Sequence, residues 1–257
     1  MSIGPFWRGR KGPDDMDYPV CEHDRVIEYH AAGGRFVTRA EGRTTWHSFS
    51  FGTHYDPANV GFGSLVAHND EHLPPGTGYP DHPHADLEIV TWVLAGALRH
   101  TSAVGSGVIG PGEVQRLSSG SGVVHSEMAE DGEETRFLQA WVRPDEPGME
   151  PGYVSAKVAV GDGWTCVANG NGRGAVPLAA QGAALHVAEV PAGERLALPE
   201  APRLHVFVAR GRAMLGERSL HPGDAARLAD EGGRPVTAET DSHLVVWAFA
   251  GGPSVRG

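Results

Sequence analysis

One run of turn and strand signals is used twice in this chain of 257 residues, and it limits the fold more than any other feature. The first use reads Trp92-Val93-Leu94-Ala95-Gly96, then Pro111-Gly112-Glu113, Arg116-Leu117 and a closing apolar stretch around Trp141. The second reads Phe207-Val208-Ala209-Arg210-Gly211, then Pro222-Gly223-Asp224, Arg227-Leu228 and a closing stretch around Trp247. Corresponding positions lie 106 to 115 residues apart, a drift that loop-length changes produce. Self-similarity at a fixed spacing is the mark of one structural unit used again. A strand, a glycine turn, a Pro-Gly-acid turn and a closing aromatic strand, each used twice, imply two stacked β-barrels of similar build.

The punctuation between these landmarks agrees. The 36 Gly and 19 Pro are spread along the chain, as suits short strands joined by tight turns, and helical periodicity is nearly absent. Ile89 to Leu94 is a short β-branched and aromatic run ended by Ala95-Gly96, the pattern of a buried strand. Further strands are expected near Phe36 to Arg39, Trp46 to Phe51, Val114 to Leu117, Phe137 to Val142, Val154 to Val158, Leu185 to Val190, Leu204 to Val208 and Leu244 to Phe249. Arg143-Pro144-Asp145-Glu146-Pro147-Gly148 is the best linker. The expected organisation is all-β: an irregular arm over residues 1–34, a first barrel over 35–147 and a second over 148–257.

Two short motifs carry the chemistry. His82-Pro83-His84 and His125-Ser126-Glu127 each place two metal-binding side chains two residues apart. On a β-strand that spacing points both to one face. Two such strands, folded back on one another through the turn-rich Ser118 to Gly122, would offer three imidazoles and a carboxylate to a single ion. The repeat supplies a control. The positions that correspond to these four are Ala197, Pro199, Val236 and Ala238, so the second copy keeps the turns and loses every donor. The unit therefore folds without them. Glu88, an even step from His84, would share that face if the strand were unbroken; it is a rival ligand or a partner that orients an imidazole.

Other polar clusters read as structural. His68-Asn69-Asp70-Glu71-His72 has ligand-type residues four apart, but Pro74-Pro75-Gly76 follows at once, and a solvated loop is expected there. His186, His205, His221 and His243 occur singly and are expected to be packed or exposed. There is no Gly-x-Ser-x-Gly elbow, phosphate loop or dinucleotide fingerprint.

These motifs have a familiar form. Residues 78–88 through Gly96 resemble the first cupin motif. Residues 111–115 through His125-Ser126-Glu127 resemble the second, in the version used by the pirin family, and Trp46 to Phe51 with Tyr55-Asp56-Pro57 resembles that family's N-terminal signature. The resemblance is strong over about residues 40 to 160. It implies two tandem cupin barrels and one divalent transition metal, iron(II) by family expectation, held in the first barrel by His82, His84, His125 and Glu127. Mn, Co, Ni, Cu and Zn also suit such ligands. In pirins the second-motif glutamate supplies the carboxylate, so Glu88 ranks behind Glu127. The second barrel is expected to be metal-free. Gln115, from its place in the second motif, is a candidate pocket residue.

The resemblance further implies quercetin 2,3-dioxygenase-like chemistry on a phenolic or enolic small molecule with dioxygen, with Glu127 as a possible general base. The alternative is a non-enzymatic, metal-state-dependent module read by a protein partner such as a transcription regulator or a metabolic enzyme. A net charge of −11 and the absence of any Lys/Arg run argue against direct nucleic-acid binding. The two cysteines, Cys21 and Cys166, form no metal knuckle, and no apolar stretch approaches the ~20 residues of a spanning helix. No leader-like segment is visible at the start. A cytoplasmic protein without membrane association is expected.

Overall fold

The structure, a computed structural model, describes residues 26–250. The first half contains β1 (Val26–His30), β2 (Phe36–Ala40), β3 (Arg43–His47), β4 (Leu65–Leu73), β5 (Gly78–His84), β6 (Glu88–Ala95), β7 (Leu98–Ser102), β8 (Gly105–Ile109), β9 (Glu113–Ser118), β10 (Val123–Ala129), β11 (Thr135–Val142) and β12 (Gly152–Lys157). The second contains β13 (Thr165–Asn169), β14 (Val176–Pro177), β15 (Ala183–Val190), β16 (Arg195–Ala197), β17 (Arg203–Arg210), β18 (Ala213–Leu215), β19 (Arg218–Leu220), β20 (Ala225–Ala229), β21 (Pro235–Ala238) and β22 (Ser242–Phe249). A single 3-10 turn, Ala32–Gly34, interrupts this pattern among the described residues, and no helix there is long and apolar enough to cross a membrane.

The all-β expectation holds, but the barrels do not. The strands form four open sheets, ordered β12-β9-β6-β11-β4-β3-β2, β5-β10-β7-β8, β1-β20-β17-β22-β15-β13-β14 and β16-β21-β18-β19. Among the described residues no ladder closes on itself: each large sheet ends in unpaired edge strands, and its small partner lies across from it through side chains rather than a shared ladder. Leu73, Val93 and Phe137 from one sheet meet Leu98, Ile109 and Ala129 from the other, the arrangement of a two-sheet sandwich. The turn signals specify strand ends and reversals. They say nothing about whether two edges come within ladder distance, which depends on how far each sheet is extended by outer strands such as β2 and β3.

The repeat is real in the topology. Gly96 (φ 68°) and Gly211 (φ 78°) each turn the chain at the end of the central strands β6 and β17. A Cβ there would meet the backbone of Glu134 or Asp241 and the side chain of Thr135 or Ser242, so both copies require glycine. The two large sheets stack back to back, with Trp92, Leu138 and Val114 of the first against Val187, Phe207 and Trp247 of the second in one core. The halves also trade edges. β1, from the segment read as an irregular arm, pairs with β20 of the second half, and β12, beyond the expected linker, pairs with β9 of the first. Residues 1–25 of that arm, with Cys21, lie outside the described residues; Cys166 forms no disulfide among the described residues.

The segment read as a solvated loop, residues 68–72, is instead the middle of β4 and largely buried. Pro74-Pro75-Gly76 ends that strand without interrupting it. Its polar side chains other than His68 find polar partners, and His68 packs against the rings of His205 and Phe207. Asn69 and Glu71 face the small sheet, while His68 and Asp70 face the second half, where Asp70 pairs with Arg136 and Arg35.

Candidate metal centre

The period of two operates as expected on β5, which carries His82 and His84 beside β10 with His125 directly opposite His82. A bulge between His125 and Glu127 then shifts the register so that Glu127 faces Tyr79. This close pairing requires Gly78, because a Cβ at that position would strike the backbone of Glu127 and Met128. Donor atoms of His82, His84 and His125 lie within 4.8 Å of one another, and so do those of His100, His125 and Glu127. The two clusters share His125.

The hydrogen bonds decide which ring nitrogens are free. His82 Nδ1 lies 2.8 Å from the Pro80 carbonyl, which only accepts, so Nδ1 carries the proton and Nε2 is bare. His125 Nδ1 lies 3.3 Å from His100 Nδ1, and His100 Nε2 lies 3.2 Å from Ser102 Oγ, whose own proton goes to the Gly105 carbonyl. That chain runs consistently in one direction: His125 Nδ1–H to His100 Nδ1, His100 Nε2–H to Ser102, Ser102 O–H to Gly105. It leaves His125 Nε2 buried, bare and without any protein partner. An orphaned, inward-facing acceptor with its other nitrogen oriented by a neighbour is what a metal-binding imidazole requires. Burial, with the His82 imidazole close by, holds His84 down at about 4 and His125 at about 3, so both are neutral near pH 7. The residues fit a divalent cation, and this His/Glu cluster can coordinate one.

Glu127 is fully enclosed. Its two oxygens accept amide protons from Gln115 at 2.9 Å and Gln139 at 2.7 Å. Burial pushes it up to about 7 against those two donors, with help from the nearby charge of Glu71. Gln115 thus lies at the site, holding Glu127 while accepting from the Tyr153 hydroxyl. Glu88 does not. Asp86 turns the chain with φ 54°, so β5 and β6 belong to different sheets, and the even step from His84 no longer counts. Glu88 instead accepts from the Ser118 hydroxyl and from the Ala179 backbone of the second half.

A cavity of about 330 Å³ opens beside the imidazoles. Its aromatic wall is Phe51 and Trp141, the latter 4.8 Å edge-on to the His84 ring. Its polar wall includes Glu71, which accepts from Thr45 and Tyr79 and which burial pushes up to about 7. His100 and Glu71 are the site residues that sequence reasoning missed. His100 stands alone on β7 with no spacing partner, and Glu71 sat inside the segment dismissed as a loop. Strand alternation from a correctly placed β4 would have pointed to the latter.

Comparison with known proteins agrees. A pirin profile matches residues 30–142, and a profile described as the quercetinase C-terminal cupin domain matches 166–247. A Mycobacterium tuberculosis protein, provisionally named a quercetin 2,3-dioxygenase, is 42% identical over 86% of this chain and 94% of its own length. The chain belongs to the pirin family. Another relative, named quercetin 2,3-dioxygenase in Escherichia coli K12, is 30% identical over 79% of this chain and 90% of its own. Among solved structures, the nickel(II) complex of the bacterial pirin YhhW from Escherichia coli superposes with a TM-score of 0.82 at 28% identity, over 88% of this chain and 99% of that one. A cupin-type bicupin is therefore the architecture of this pirin-family chain, with its donors confined to the first half among the described residues.

Proposed function

We propose that the protein is a metal-dependent dioxygenase acting on a quercetin-like flavonol. The observation that carries this reading is the convergence of His82, His84 and His125 beside an aromatic-walled cavity. The names of the two relatives above support the same chemistry. His82, His84 and His125 would hold the ion through Nε2, with Glu127 as the carboxylate of the set. When bound, that ion, iron(II) on the family resemblance, supplies Lewis acidity and redox capacity beside the cavity.

The chain's own residues do the rest. Phe51 and Trp141, packed on one another with ring centroids 4.9 Å apart, present an aromatic wall to a planar ring. Gln115 and Gln139 fix the orientation of Glu127, which takes up a phenolic proton when its carboxylate releases the ion. His125 and Glu127 are buried, whereas His82 and His84 are half-buried at the cavity. Two cysteines in 257 residues, too few for a disulfide framework, support a reducing, cytoplasmic setting.

The test is oxygen uptake and ring-opened product with quercetin and iron-loaded protein. His84→Ala is expected to lower turnover at least 100-fold and to lose stoichiometric metal. Undiminished turnover by that variant would refute the reading.

A further inference from the structure

Glu127 is gripped by two amides, and an amide has two ends. Gln115 and Gln139 stand on either side of Thr91, directly opposite it across β9, β6 and β11. Each amide nitrogen donates to Glu127 and also to the Thr91 hydroxyl oxygen, at 3.4 Å from Gln115 and 3.3 Å from Gln139. Turned end for end, either amide would present its carbonyl oxygen to the carboxylate, and two buried acceptors would face each other. The partner on the far side of each carbonyl oxygen decides between these states. For Gln115 that partner is the Tyr153 hydroxyl, at 3.2 Å. For Gln139 it is the Trp141 indole N–H, also at 3.2 Å.

These two partners are not equivalent. A hydroxyl donates or accepts, so Tyr153 tolerates either orientation of Gln115. An indole N–H only donates, so Trp141 admits one orientation of Gln139. Trp141 follows Gln139 by two positions on β11 and shares its face. Its ring also belongs to the cavity wall and meets the His84 ring edge-on. The second half shows that the fold does not need this set. Val206 lies opposite Ala226 and Val246, as Thr91 lies opposite Gln115 and Gln139, and Leu204 lies opposite Ala248, as Ile89 lies opposite Trp141. The counterparts of the polar set are therefore Ala226, Val206, Val246 and Ala248, all members of one apolar core.

We propose that Trp141 is a positioning residue: its indole N–H fixes the Gln139 amide with the NH2 group toward Glu127, and through that amide it holds the carboxylate in place for the ion. The proposal rests on Glu127 being the carboxylate of the metal set.

The test is a double-mutant cycle on the full chain, with nickel(II) affinity read by chelator competition. Trp141→Phe keeps an aromatic wall but removes the N–H, and is expected to weaken nickel binding about tenfold. In the Gln139→Leu background the same change is expected to shift affinity by no more than about twofold. A full effect in that background would mean that Trp141 acts through its contact with His84, and would overturn the proposal; wild-type affinity in Trp141→Phe would do the same. Unchanged affinity in Glu127→Gln would refute the ligand reading itself and the proposal with it. A second readout needs no metal. The chain has three glutamines, of which Gln181 is exposed, so nitrogen-15 labelling of glutamine gives few side-chain NH2 signals. The Gln139 pair is expected to exchange slowly with water in the wild type and at nearly the Gln181 rate in Trp141→Phe; protection retained in that variant overturns the proposal. Should Trp141→Phe not fold, benzothienylalanine at position 141, which keeps the bicyclic shape and lacks the N–H, takes its place in both measurements with the same expected results.

Discussion

At the metal centre, the state of His82 and of His125 follows from what the second ring nitrogen touches. His82 is fixed by a backbone carbonyl, and His125 by His100, which is itself anchored through Ser102. His100 also stacks on Tyr153 with ring centroids 4.5 Å apart. Replacing it by Phe keeps the stack and the volume but removes the acceptor that orients His125. His100→Phe should therefore weaken metal binding roughly 10- to 100-fold with little change in melting temperature, as read by chelator competition; equal affinity would show that His125 needs no such support. The paired histidines were legible in the sequence because a period of two is a local signal. His100 was not, because its only link to the site is the pairing of β7 with β10, which no spacing reveals.

Among the strands, β5 and β10 set the metal geometry, and Gly78 sets their approach. Gly78→Ala should push the strands apart, separating His82 from His125, at a cost of roughly 1–3 kcal/mol and with a clear loss of metal affinity. Denaturant titration and metal titration check this, and a variant matching wild type in both would mean that the bulge absorbs the methyl group. The control drawn from the repeat has a structural counterpart here: β16 pairs with β21 without any donor at Ala197, Val236 or Ala238. Strand β4 was misread because charged residues are unusual in a strand interior. Its acids are stable there through partners on other strands, Arg136 on β11 for Asp70 and Thr45 on β3 with Tyr79 on β5 for Glu71, and no spacing within the segment reveals those pairings.

Across the whole molecule, the doubled architecture was readable from turn chemistry, whereas the open edges and the exchange of β1 and β12 between halves were not, since both depend on long-range packing. Asp70 belongs to this scale. It binds Arg136, whose guanidinium also donates to the Ala209 carbonyl of the second half, so the ion pair ties the two halves together. Burial alone would raise its carboxyl, but hydrogen bonds from His72 and Arg136 and the charges of Arg136 and Arg35 outweigh that and hold it well below the usual range. A depressed folded-state value stabilises the protein above the unfolded value of about 3.9 and is lost as pH falls toward the folded one. Asp70→Asn should cost about 3 kcal/mol at pH 7, with the gap to wild type narrowing as pH drops below about 4. A gap that stayed constant from pH 7 to 3 would remove the ion pair from the account. The central claim, that three imidazoles converge through Nε2 on one ion, is tested most directly by anomalous diffraction at the iron edge from iron-loaded crystals. One peak per chain, bonded to Nε2 of His82, His84 and His125, is predicted; a peak elsewhere, or coordination through Nδ1 of His82 or His125, would contradict it.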